Sequence, residues 1–275
     1  DTAAIPDGLS LPEELQRREA RLAAMAAAKA KIEARAAQRY ESERAAFDDK
    51  IKQRQTKEAA TGKKPGGRPP KPPTPGAQAS DQINLTDEES RIMPVSGGGF
   101  EQCYNAQAAV DAATMLVTMT AVTQATNDKQ QLVPALDALA KRAPQLGAPT
   151  VLVADCGFCS EANVLACQAH GIEPMLALGR QEHHPHWQER FSEPAPLPAQ
   201  TTAMQAMAHR LKTQSGRAIY ALRKQTVEPV FGIIKSVMGF RQFSLRGLRK
   251  VSGEWTLVCL AWNLKRMAVL RLKAG

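Results

Sequence analysis

The chain has 275 residues, 43% hydrophobic but only 5% aromatic, so it can bury a sizeable core built mainly from aliphatic side chains and Met. A formal net charge of +9 and a pI near 9.5 suit a polyanionic partner, nucleic acid or an anionic membrane. No stretch approaches the ~18 consecutive apolar residues of a membrane span, the N-terminus lacks the order of a secretory signal, and five irregularly spaced cysteines fit a reducing cytoplasm rather than a disulfide framework.

Residues 1–60 read as a charged helical segment. From Leu11 to Ala60 there is no Gly, and the only Pro is Pro12, tolerated in a first helical turn where Glu13 and Glu14 complement the dipole. Leu15, Leu22, Met25 and Ile32 form a thin apolar stripe. The pattern fits one long helix or a helical hairpin, packed along that stripe or simply solvated. Residues 61–80 are rich in Pro, Gly and Lys and cannot form a helix or sheet interior, which makes them a basic extended linker. The core Gly67-Arg68-Pro69 is reminiscent of short minor-groove hooks, but the match is short and a plain linker is the favoured reading.

Residues 81–275 carry the compact α/β pattern. Residues 102–111 read as a strand, Ala112-Ala113-Thr114 as a turn, and Met115 to Thr123 as a second strand rich in Val and Thr. A helix is expected from Lys129 to Arg142, then a short apolar strand at 151–154 ending in Asp155. Ser160 caps a helix running to His170, Gly171 ends it, and Ile172 to Leu178 gives another strand. This order predicts a mixed sheet with helices packed on it. Residues 181–218 read as irregular, and 217–238 and 247–272 as helices.

Two acidic residues stand out. Asp155 follows a buried-looking strand and precedes Cys156-Gly157, a frequent place for a metal ligand in α/β folds, and also a frequent place for a turn former. Glu228 shares a helix face with Lys235, two turns on, and lies near Tyr220, Lys224 and Phe231. The same spacing would suit ordinary surface ion pairs. Carboxylates from distant segments are what two-metal phosphoryl transfer requires, because Mg²⁺ takes oxygen ligands and phosphate oxygens.

The segments 84–93, 99–111 (Gly-Phe-Glu-Gln-Cys-Tyr-Asn-Ala-Gln-Ala-Ala-Val-Asp), 122–128, 153–158 (Val-Ala-Asp-Cys-Gly-Phe), 223–235 (Arg-Lys-Gln-Thr-Val-Glu-Pro-Val-Phe-Gly-Ile-Ile-Lys) and 243–248 resemble, in order, motifs of bacterial insertion-sequence DDE transposases of the IS4/IS5-like superfamily. The resemblance spans roughly residues 84–270, with residues 1–80 similar to the variable insert that precedes these motifs. It implies an RNase H-like catalytic domain, a mixed sheet flanked by helices and preceded by the long charged helical segment.

By position it implies Asp155 as second and Glu228 as third metal ligand, and Lys235 as a phosphate contact. Tyr220 and Arg223 fall near the family's Tyr and Arg, but Lys224 rather than Arg223 stands four residues before the Glu, so their individual roles stay open. The first carboxylate is expected on a strand upstream of Asp1, in an N-terminally truncated chain. Topology puts Asn127 and Asp128 near the metals and makes Asp111 the weaker substitute.

The implied activity is metal-dependent cleavage and strand transfer of an insertion sequence, with Mg²⁺ or Mn²⁺ as cofactor. The implied setting is a homodimer on double-stranded DNA at the bacterial nucleoid, without membrane. Arg223, Lys224, Arg241, Arg246, Arg249, Lys250, Lys265 and Arg266 are candidate DNA contacts, or merely solvating charges. An inactive DNA-binding fragment and a nuclease of the same fold are the alternatives.

Three further motifs carry less. Cys156-Gly-Phe-Cys159 has redox or zinc spacing without a second pair. His183, His184 and His186 beside Trp187 suit an exposed or DNA-facing loop better than a metal site. Gly97-Gly98-Gly99 lacks the Lys-Ser/Thr of a phosphate loop.

Overall fold

A computed structural model describes residues 11–95, 97–179 and 192–274. The chain divides into two compact units, Asp1–Glu88 and Glu89–Gly275.

In the first unit, α1 (Leu11–Thr61) is one unbroken helix rather than a hairpin. Its Ala, Glu, Arg, Lys and Gln are the strongest helix formers, and nothing within it breaks the ladder. The anticipated stripe is only partly used: Leu15, Leu22 and Met25 are exposed, whereas Ala28 and Ala36 are buried. Residues 62–88 form neither helix nor strand and run back along α1. Arg54 Nη2 donates to the Pro65 carbonyl at 2.8 Å, Arg39 Nη2 to the Asp81 carboxylate at 3.0 Å, and Arg35 Nη2 to the Glu88 carbonyl at 2.7 Å. Lys31 adds an ion pair to Glu88. The segment read as a basic extended linker is tied to the helix at several points.

The second unit opens with an unexpected hairpin, β1 (Arg91–Pro94) antiparallel to β2 (Phe100–Cys103). Its turn uses Gly97, Gly98 and Gly99 at φ of 100°, 93° and 93°, left-handed values that glycine adopts without steric cost. The single strand expected over 102–111 is thus split at Tyr104. β3 (Asn105–Val110) pairs antiparallel with β4 (Val117–Thr123), with a register shift at Ala109/Val110.

α2 (Leu132–Leu146) starts later than expected, because residues 128–131 form a turn closed by Gln131 N–H to the Asp128 carbonyl at 2.9 Å. β5 (Val151–Ala154) and β6 (Glu173–Leu176) are parallel, joined through α3 (Glu161–Ala169), whose cap is Ser160.

Part of the region read as irregular is helical. α4 (Ala203–Lys212) begins at a capping box, Thr202 with Gln205. α5 (Gln214–Ser236) begins at once after it, capped by Thr213. α6 (Leu248–Ala274) closes the unit. The class is the expected α/β, with both parallel and antiparallel pairs, but among the described residues the strands form three two-stranded sheets rather than one continuous sheet.

Among the described residues, two cores hold the unit. Leu132, Leu136, Val164, Cys167, Ile172, Leu176 and Met207 join α2, α3, β6 and α4. Val117, Val230, Ile234, Trp255, Cys259 and Trp262 join α5 and α6 to the β3–β4 hairpin. α6 is also tied to that hairpin by hydrogen bonds. Trp255 donates to the Gln107 carbonyl and Trp262 to the Met115 carbonyl, both at 2.9 Å. Asn263 satisfies both backbone groups of Val117 at 2.8 Å. No described helix is long and apolar enough to cross a membrane.

Candidate active site

The apolar strand β5 ends at Asp155, whose Oδ1 accepts from Gly157 N–H at 2.8 Å and caps the one-turn 3₁₀ segment Cys156–Phe158. The turn-forming role is therefore real, and it engages only one carboxylate oxygen. Asp128 lies just past β4. Its Oδ1 accepts from the side-chain amides of Asn105 (2.8 Å) and Gln107 (2.7 Å), two residues of β3.

The two carboxylates meet at Gly157. A methyl carbon added there would lie 3.0 Å from Asp155 Oδ1 and 3.2 Å from Asp128 Oδ2, so these oxygens are no more than about 6 Å apart. Asn163, buried in the first turn of α3, stitches the two loops together. Its side-chain amide donates to the Lys129 carbonyl at 2.8 Å and to the Phe158 carbonyl at 2.6 Å.

α5 packs against β5 and supplies the rest. The Tyr220 phenol is pushed above its ordinary range, first by burial; Arg223 opposes the shift and the nearby Asp155 and Cys156 add to it. The Arg223 guanidinium lies 5.8 Å from the centre of the Tyr220 ring and pairs with Glu228 Oε1 at 3.0 Å. Arg223 pairs with Glu228, whereas Lys224, four residues before that Glu, is exposed. Pro229 follows Glu228 inside the helix and cannot donate to the carbonyl four residues back, which interrupts the ladder beside the carboxylate.

The donor chemistry is that of hard oxygens. Asp128 and Asp155 could hold a divalent cation such as Mg²⁺, which commonly takes one or two carboxylates and completes its shell with water and phosphate oxygens. Among the described residues, no three His, Cys, Asp or Glu side chains gather as a ready metal cage.

Residues 73–264 match the family described as the transposase DDE domain. The chain belongs to that family. No curated protein and no solved structure matches it.

The matched stretch of the transposase domain includes Asp128, Asp155, Glu228 and Lys235. Lys235 is exposed in the last turn of α5 and makes no side-chain hydrogen bond or ion pair among the described residues. Arg241 reaches the Lys235 carbonyl at 3.4 Å, and Arg246, Arg249, Lys250 and Lys265 are exposed. Arg266 differs from them, since its Nε donates to the Thr114 carbonyl at 2.7 Å and holds the β3–β4 turn. Asp111 lies at the opposite end of β3 from Asn105, and its carboxylate closes the same turn through Thr114 N–H (2.8 Å) and Oγ1 (2.6 Å). His183, His184, His186 and Trp187 lie outside the described residues.

Three residues of this site were not singled out by sequence: Asn105, Gln107 and Asn163. The first two had a signal, since amides two apart on a strand point to one face. Asn163 had none, because an Asn in a first helical turn is commonplace.

Proposed function

We propose that this transposase DDE domain cleaves phosphodiesters of double-stranded DNA and transfers the strand ends of an insertion sequence. The observation that carries the reading is the pair Asp128 and Asp155 at Gly157 within the matched transposase domain, with Tyr220 near Asp155 and Arg223 linking Tyr220 to Glu228. Asp155 and Glu228 serve as metal ligands with Asp128 as a further one, and Asp111 has no part. Mg²⁺ or Mn²⁺, when bound, would lower the pKa of an attacking hydroxyl and stabilise the leaving oxygen.

The chain's own residues do the rest. Asn105 and Gln107 hold Asp128 by one oxygen and leave the other turned to the Asp155 loop. Arg223 sits between Tyr220 and Glu228, where a guanidinium can pair with a carboxylate or a phosphate. Lys235, Lys224, Arg241 and Arg246 supply exposed positive charge for the DNA backbone. Water and then a DNA 3′-hydroxyl attack in line, and positioning carries most of the catalysis.

The active form is a homodimer on DNA, acting in the bacterial cytoplasm at the nucleoid. Leu257, Leu260, Leu264 and Met267 of α6 support a second copy as partner: they are exposed and follow the 3-4-3 spacing of a coiled-coil seam, which fits another helix. A second reading, a DNA-binding chain inactive by itself, draws support from the two-carboxylate site, to which no third ligand closes among the described residues.

Labelled duplexes carrying transposon ends test these readings, incubated with the chain and Mn²⁺ and resolved on denaturing gels. Cut and rejoined strands, lost in Asp155→Ala, support the transposase. Cut strands without joining make it a nuclease. Bound but intact duplex favours the inactive reading.

A further inference from the structure

We propose that residues 62–76 form a minor-groove hook for A·T-rich DNA, with Arg68 as the inserted side chain. The proposal rests on the reading of the chain as DNA-acting and adds a second contact, remote in sequence from the carboxylate site, together with a sequence preference.

The stretch runs Gly-Lys-Lys-Pro-Gly-Gly-Arg-Pro-Pro-Lys-Pro-Pro-Thr-Pro-Gly, and no acidic residue occurs between Glu58 and Asp81. Lys63, Lys64, Arg68 and Lys71 are all exposed, and none has a side-chain hydrogen bond or ion pair among the described residues. By contrast, Arg39, Arg35 and Lys31 of the same unit are engaged on the chain itself. Four unneutralised cations on one short segment are a binding surface for an anion.

The backbone narrows the choice of anion. Six prolines hold the segment out of helix and sheet, and the structure has neither there. An extended chain is slim enough for a minor groove ~6 Å wide, whereas a helix is not. A narrow A·T groove concentrates negative potential and draws in Arg. The segment has no aromatic and no large aliphatic residue, so it offers nothing to stack on unpaired bases or to sink into a bilayer interface.

Two details suggest an approaching ligand. Gly66 has no left-handed φ, and a side chain there would meet nothing within 4 Å. The chain itself therefore does not demand a glycine, but close approach of a DNA backbone would. Arg54 ties the root of the segment to α1, at 2.8 Å from the Pro65 carbonyl and 3.4 Å and 3.5 Å from those of Gly66 and Gly67. That anchoring lowers the entropy lost on binding.

The test is fluorescence anisotropy of the full chain with A·T-rich and G·C-rich duplexes of equal length. The A·T duplex should bind more tightly, and netropsin, a minor-groove ligand, should compete. Arg68→Ala should weaken A·T binding on the order of tenfold and abolish the preference. Lys64→Ala and Lys71→Ala should weaken both duplexes alike and lower the slope of log affinity against log salt by roughly 0.9 each. Gly66→Val should leave the circular dichroism unchanged and reduce A·T binding.

Equal affinity for both duplexes, an Arg68→Ala chain that keeps the preference, or tighter binding to phosphatidylserine vesicles than to DNA would overturn the hook alone. A chain that binds neither duplex overturns it together with the reading beneath it. Asp155→Ala with Glu228→Ala separates the two, since that variant should lose cutting and keep the A·T preference.

Discussion

Asn163 links the two loops that carry Asp128 and Asp155. It touches neither carboxylate, yet its buried amide holds the carbonyl after Asp128 and the carbonyl of the turn after Asp155. Asn163→Ala orphans both carbonyls, and the loss should be about 1–3 kcal/mol in urea denaturation. Amide exchange should rise at residues 128–131 and 155–159 and stay unchanged in the β3–β4 hairpin.

The cysteines make a second residue-scale prediction. Burial pushes the Cys167 thiol up to about 11 and that of Cys259 up to about 12, so both stay protonated and inert at neutral pH. Cys156 is exposed beside Asp155. Mass spectrometry after brief iodoacetamide treatment should find Cys156 alkylated and Cys167 and Cys259 untouched; rapid labelling of either buried thiol would contradict the packing.

At the scale of elements, α6 organises the hairpin that carries Asn105 and Gln107. Trp255 is buried against Phe231 and Phe240, with ring centroids at 5.6 Å and 6.2 Å, and also donates to the Gln107 carbonyl. Trp255→Ala should cost about 3–5 kcal/mol by chemical denaturation.

The return segment on α1 should be acid-sensitive. Arg39 holds the Asp81 carboxyl below its ordinary range, with the Gln78 backbone N–H assisting. A depressed folded pKa stabilises the fold above the unfolded carboxylate range, and that contribution is lost as pH falls through the lower, folded value. Amide exchange at residues 76–88 should therefore rise below pH ~4, and Arg39→Ala should bring the same opening at neutral pH.

The elements also differ in how legible they were. α1 could be read because nothing interrupts it, and α3 because Ser160 and Gly171 mark its ends. β1 was hidden by its four residues, one of them a proline. α4 is masked in sequence by the Pro-rich residues 194–198 just before its Thr202/Gln205 cap.

For the whole molecule, separation along the chain explains what sequence could tell of the site. Of the proposed ligands, Asp155 is marked locally by a strand end and Glu228 by a helix face shared with Lys235. The proposed ligand Asp128 carries no local mark of its own and follows only from the direction in which β4 runs. Its partners lie 23 and 21 positions away on β3, a pairing no local pattern encodes.

The proposed site requires Asp128 and Asp155 to bind one divalent ion beside Gly157. Mn²⁺ titrated into ¹⁵N-labelled chain tests it directly, because paramagnetic broadening reports distance from the ion. The Gly157 N–H and the side-chain amides of Asn105 and Gln107 should broaden first, and Asp128→Ala with Asp155→Ala should abolish the effect. Broadening centred elsewhere, for instance on the acidic residues of α1, or persisting in that double variant, would contradict it.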